Sequence, residues 1–217
     1  MSKFHPELDV LTEYVAGQLN YHETLMVAVH ISYCEACRKS ARELETLAGV
    51  LLDDLPGDHV DEQLLAKTLA MIDNQPERQS RAVSGAASFA HPEVPPPLRK
   101  AIPNGFNALK WKKLLPHLQV CDLEVSPDGP AITLHRIKPG GRIPKHTHRG
   151  TEYTVLLKGG FSDMYGDYNA GDYLCRDAAH EHTPVAADNE ECICLTAVEE
   201  PLRMTSWKWR WLNPFLS

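Results

Sequence analysis

No run of about 18 apolar residues occurs anywhere in this 217-residue chain, so no membrane-spanning helix is expected. A basic stretch leading into an apolar core is also missing at Met1-Ser2-Lys3-Phe4-His5-Pro6, so no secretion signal is expected. No internal repeat is apparent. A composition of 43% hydrophobic and 24% charged residues excludes a collagen-like, low-complexity or wholly disordered chain. Without an export signal, the six cysteines are expected as thiols or metal ligands rather than disulfides, and the expected compartment is the cytoplasm. At about 150 residues per domain, the length allows one or two domains.

Positive charge is scarce in the first third. Residues 1–75 carry 13 acidic and 5 basic side chains, a net of −8, whereas residues 76–217 carry 16 and 17, a net of +1. An acidic segment repels phosphates, so direct nucleic-acid binding is not expected. It suits a basic protein partner, or simply forms a solvated helical surface.

The same third has a helical period. Leu8, Leu11, Val15 and Leu19 recur at spacings of three and four, and so do Leu25 and Val29, then Leu44, Leu47, Leu51 and Leu55. Gly17 and Asn20 predict a break between a first and a second helix, and Pro56-Gly57-Asp58 ends the second. Asp61 is placed to cap a third, through Leu64, Leu65, Leu69 and Ile72. Such a small bundle has little core, and a metal staple would help it. Residues 76–98, rich in Pro, Ser, Gly and Ala and ending near Pro95-Pro96-Pro97, read as a linker. From 99 to 217 the pattern is of short strands, such as 131–135, 153–157 and 192–195. Turn signals at 127–130, 138–141, 158–160 and 169–172 separate them. The expectation is an all-α domain over 1–75 followed by an all-β sandwich or barrel.

Two clusters carry metal-binding chemistry. The first is His30-x3-Cys34-x2-Cys37, whose i, i+4, i+7 spacing lies on one face of a helix. Imidazole with thiolate suits tetrahedral zinc, which needs a fourth ligand. His5, folding back from the start of the first helix, is favoured over His22. His5 and the His30-Cys34-Cys37 motif in an acidic helical segment resemble the zinc-binding anti-sigma domain. That resemblance covers residues 1–75 and implies a structural zinc that organises the helices.

The second cluster lies in Gly140-x5-His146-x-His148-x3-Glu152-x6-Gly159. His146 and His148 point to one side of a strand, and Glu152 has the same parity. Two imidazoles and a carboxylate form a facial set for a divalent cation. His180 and His182 are the candidates for a fourth ligand, and parity does not separate them. The pattern resembles the first motif of the cupin family, with both flanking glycines. In the second motif, Asn169-Ala170-Gly171-Asp172 lacks the usual proline, and the family's last histidine falls best on His182. The implied fold is an all-β cupin jelly roll. The implied metal is zinc for preference, with iron, manganese or nickel also suited.

A zinc anti-sigma domain followed by a cupin resembles the ChrR-type anti-sigma factors over almost the full chain. The resemblance implies a transcriptional regulator without catalysis. It would bind an extracytoplasmic-function sigma factor through residues 1–75, with the cupin relieving inhibition under oxidative stress. The alternative is a cupin metalloenzyme, dioxygenase- or isomerase-like, acting on a small molecule. Cys175, Cys192 and Cys194 are expected as ordinary small core residues, with redox-responsive thiols as the alternative. The alternating Trp207, Trp209 and Trp211 predict a terminal strand that covers the barrel or, as the other option, pairs two copies of the chain through the cupin.

Overall fold

The computed structural model describes residues 2–57, 60–74, 91–123, 130–147, 149–199 and 203–205. Among the described residues four helices come first: α1 (Leu8–Val15), α2 (Tyr21–Tyr33), α3 (Glu35–Asp53) and α4 (Leu64–Asp73). The break after α1 falls at Gly17 and Asn20, as the sequence predicts. Asn20 closes a capping box: its side chain accepts from the Glu23 amide at 3.0 Å, and the Asn20 amide donates to the Glu23 carboxylate at 3.3 Å.

One helix from Leu25 to Leu55 is not what forms. The chain leaves helical geometry at Cys34, which has φ −96° and ψ 109°. Its amide still donates to His30 O at 3.0 Å, and its sulfur accepts from the Cys37 amide at 3.4 Å. Cys34 thus ends α2 and caps α3. A leucine period does not register a one-residue break, because the apolar spacing resumes on the far side. α4 begins at Leu64, one turn past Asp61, whose carboxylate accepts from the Gln63 amide at 2.9 Å.

The β half comprises β1 (Lys112–Leu115), β2 (Leu118–Leu123), β3 (Ala131–Ile137), β4 (His146–Thr147), β5 (Glu152–Lys158) and β6 (Gly160–Asp163). It continues with β7 (Gly166–Asn169), β8 (Tyr173–Arg176), β9 (Val185–Ala186), β10 (Cys192–Val198) and β11 (Arg203–Met204). Among the described residues all pairings are antiparallel: a six-stranded sheet β1-β2-β3-β10-β5-β8, a three-stranded sheet β7-β6-β9, and the pair β11-β4. The strands expected at 131–135, 153–157 and 192–195 are β3, β5 and β10.

Every residue of β10 from Cys192 to Ala197 is buried, so the six-stranded sheet is covered on both faces at its centre. Cys192, Cys194, Ile137, Leu156 and Leu174 face inward with Phe161 and Tyr168 of the small sheet. Ile193, Leu195, Ala197, Leu134 and Val155 face outward, into a second core. That core also contains Leu25, Met26, Val27 and Val29 of α2, so α2 is buried between α3 and the sheet. The end of the stretch read as a linker joins it too. Val94 and Leu98 are fully buried, around a 3-10 turn at Pro96–Leu98. Prolines that discourage regular helices are well suited to such a turn, and they aim the two flanking apolar side chains inward. The helices and the sheet therefore share one hydrophobic core. The predicted tryptophan strand at 207–211, the start of the turn at 127–130 and most of the predicted linker lie outside the described residues.

Two candidate metal centres

The break at Cys34 builds the first centre. His30 sits in the last turn of α2, Cys34 at the junction and Cys37 in the first turn of α3. His5, just before α1, completes the group. The four ligand atoms lie within 4.8 Å of one another. His5 Nδ1 is 3.4 Å from both Cys34 Sγ and Cys37 Sγ. With zinc–sulfur near 2.3 Å and zinc–nitrogen near 2.0–2.1 Å, a tetrahedron has N–S edges of about 3.6 Å, so the spacing fits. His30, Cys34 and Cys37 are buried, and His5 is exposed.

The electrostatics agree. His30 Nδ1 donates to Gly171 O at 2.7 Å, which fixes the tautomer and leaves Nε2 as the lone-pair atom. That Nε2 is buried with no hydrogen-bond partner. Burial pushes the His30 imidazole down to about 4, against the opposing effect of the Gly171 bond. Burial, reinforced by Cys34 alongside, pushes the Cys37 thiol up to about 12. Both shifts penalise charge in a buried site, and a dication reverses the sign for the Cys37 thiol. An orphaned imidazole nitrogen beside two thiols is a donor set that suits zinc.

At the second centre, β4 and the segment before β9 bring His146 and His182 together. Their backbones exchange hydrogen bonds at 3.2 and 3.1 Å, and their Nε2 atoms lie 3.1 Å apart. His146 Nδ1 donates to Pro144 O at 2.8 Å, and His182 Nδ1 donates to Asp163 Oδ2 at 2.8 Å. Each proton is thereby held on Nδ1, and the Nε2 lone pairs face each other. Burial pushes His146 down to about 4 and lowers His182 as well, so neither ring readily takes a second proton. A cation between the two nitrogens removes the repulsion.

Glu152 starts β5 and is buried in register with Arg176 of β8. Burial pushes its carboxyl up to about 8, with Arg176 opposing. His148 lies outside the described residues. His180 goes elsewhere: the chain turns at 178–180, so strand parity fails, and its Nδ1 pairs with Asp177 at 2.7 Å. It is His182 that the structure sets against His146.

Asp163 carries no signal in the sequence. Its carboxylate accepts from His182, from Tyr168 Oη at 3.0 Å and from the Tyr165 amide at 2.8 Å, and pairs with Arg176 at 3.6 Å. Burial works to raise this carboxyl, but these bonds and the Arg176 charge hold it below the usual range. A strand-borne Asp facing a histidine two strands away leaves no short-range motif to find. His135 of β3 likewise stands outside any short-range motif. It lies in register with Cys194, and burial pushes it down to about 4. Cys192 and Cys194 are buried core residues, and the Cys194 thiol is raised well above its ordinary value by Cys192 and by burial. Cys175, expected in the core, is instead exposed, and desolvation by the groups around it, with nearby Asp177 and Glu199, raises its thiol. None of these shifts favours a thiolate.

Comparison with known proteins decides the family. Over 214 residues the chain is 34% identical to the anti-sigma-E factor ChrR of Cereibacter sphaeroides, covering 98% of this chain and 97% of that one. This chain belongs to the ChrR family. Residues 101–200 match the ChrR cupin-like domain. The ChrR fold, solved in complex with SigE from Rhodobacter sphaeroides, superimposes with a TM-score of 0.77 at 30% identity, over 91% of this chain and 99% of that one. A cupin protein from Ralstonia eutropha matches at 25% identity and a TM-score of 0.41, over 48% of this chain and 71% of that one. Among the described residues, no helix is long and apolar enough to cross a membrane.

Proposed function

We propose that this ChrR family member is an anti-sigma factor acting in the cytoplasm. Its helical segment, residues 1–75, binds an extracytoplasmic-function sigma factor and hides the surfaces that sigma uses for polymerase and promoter. The observation that carries this reading is the end-to-end similarity to ChrR, a protein solved in complex with a sigma factor. The surface supports it. Leu47, Val50, Leu51, Leu52 and Leu55 at the end of α3, and Leu64, Leu65, Leu69 and Ile72 of α4, are each at least half exposed. An apolar row of this extent in water marks an interaction site. It sits in the segment of net charge −8, which complements a basic, DNA-facing partner.

In this reading His5, His30, Cys34 and Cys37 hold a zinc ion that fixes the α2–α3 junction. His146, His148, Glu152 and His182 hold a divalent cation, zinc for preference, in the cupin-like domain, which serves as the stress-sensing module. Inhibition is mutually exclusive occupancy, without chemistry. The test is a tagged pull-down from the native host, read by mass spectrometry, with the full chain and with residues 1–75 removed. An extracytoplasmic-function sigma factor recovered only with the full chain is the expected result. A full chain that retains both metals and recovers no sigma factor contradicts the reading.

A further inference from the structure

The first metal centre belongs to the helices, but its surroundings do not. The turn between β7 and β8, residues 169–172, lies against it. Gly171 O takes the Nδ1 proton of His30 at 2.7 Å. Asp172, almost fully buried, accepts at Oδ1 from the amides of Lys3 at 2.6 Å and Phe4 at 3.2 Å, the two residues that precede His5. Its Oδ2 accepts from the Asn169 amide at 2.8 Å, which ties the turn to itself. The Tyr173 amide donates to Phe4 O at 3.0 Å, and the Phe4 ring packs on Tyr168 with centroids 4.7 Å apart.

Gly171 is required where it stands. Its φ is +94°, and a Cβ there would meet Ser2 Oγ at 2.7 Å and Tyr33 Cβ at 2.9 Å. Only a residue without a side chain brings this carbonyl to His30.

We propose that the β7–β8 turn of the cupin-like domain is the outer shell of the metal site in the helical domain. Gly171 selects the nitrogen with which His30 binds, and Asp172 anchors the backbone that carries His5. The inference rests on the reading that His5, His30, Cys34 and Cys37 hold zinc. Outer-shell partners of metal-bound histidines orient the ring and raise its basicity, and losing one typically lowers metal affinity about 10–100-fold.

The experiment uses the full-length chain. Metal analysis of the wild type and of Cys37→Ser comes first: equal zinc in both defeats the zinc reading itself, separately from the outer-shell proposal. Zinc transfer to a chromophoric chelator is then timed for wild type, Asp172→Ala and Gly171→Ala, with circular dichroism as the fold control. Release at least tenfold faster in both folded variants is expected, and release within twofold of wild type overturns the proposal. A second measurement needs no variant. In the chain loaded with cadmium-113, cadmium–nitrogen coupling is expected at His30 Nε2 and His5 Nδ1. Coupling at His30 Nδ1 overturns the proposal, because that nitrogen then has no proton for Gly171.

Discussion

At Asp163, one carboxylate holds His182, Tyr168 and Arg176 in place. Asp163→Asn keeps the shape but removes the charge that raises the basicity of His182. It is expected to weaken the cupin-like domain's affinity for a divalent cation by about 10–100-fold, measured by competition with a chelator. Unchanged affinity contradicts the role. The buried titratable groups also predict a pH profile for the metal-free protein. His30, His135 and His146 stand at about 4 when folded, against 6.5 ordinarily. Between those values the unfolded chain takes up protons that the folded chain refuses, so stability falls as pH falls from 6.5 to about 4. Glu152 works in the opposite sense. Its folded value of about 8 lies above its ordinary 4.5, so its contribution is lost as pH rises from 4.5 through about 8. Three imidazoles outweigh one carboxyl below pH 6.5, and the carboxyl acts alone above it. Urea unfolding of the metal-stripped chain should give its highest midpoint near pH 6.5, and a midpoint that keeps rising to pH 8 contradicts this. The residues legible in the sequence were those with local spacing, such as His30-Cys34-Cys37 and His146. Asp163, His135 and Asp172 were not, because their partners sit on other strands or, for Asp172, at the far end of the chain.

The elements were legible wherever a period ran unbroken. Asn20 announces α2, and the short runs of β3 and β5 between turn signals are plain. The junction at Cys34 was not legible, because a single extended residue leaves the leucine spacing intact on both sides. Nor was the burial of Val94 and Leu98, which depends on an apolar face of α2 and the sheet that the local composition does not reveal. Asn20→Ala removes the α2 cap and should cost about 1 kcal/mol of stability, seen as a lowered denaturation midpoint. An unchanged midpoint would place the helix under tertiary control alone. On α3 and α4, Leu51→Asp with Leu65→Asp alters side chains that are 60% and 69% exposed. The pair is expected to weaken sigma binding by at least about tenfold, roughly 1.4 kcal/mol, while zinc content and melting temperature stay unchanged. Full affinity in this variant removes the apolar row from the interface.

Across the full chain, helices and sheet are joined by more than their shared core. Tyr153 Oη donates to Glu23 at 2.6 Å, Tyr33 Oη to Leu157 O at 3.2 Å, and His30 to Gly171. The β7–β8 segment that touches the first candidate metal centre through Gly171 and Asp172 also carries Tyr168, which bonds to Asp163 beside the second. Occupancy at one centre should therefore alter affinity at the other, and linkage makes that effect reciprocal. His146→Ala, far from the zinc cluster in sequence, is expected to change the rate of zinc loss from the helical site. Identical rates would make the two centres independent. The central claim, that a zinc-organised helical segment silences a sigma factor, is tested most directly by transcription in vitro. Core polymerase, the recovered sigma factor and its promoter are combined with increasing amounts of the purified chain. Promoter-specific initiation should disappear at stoichiometric zinc-bound protein and persist when Cys34→Ser,Cys37→Ser protein is added instead. Undiminished initiation at an excess of the zinc-bound chain would contradict the account.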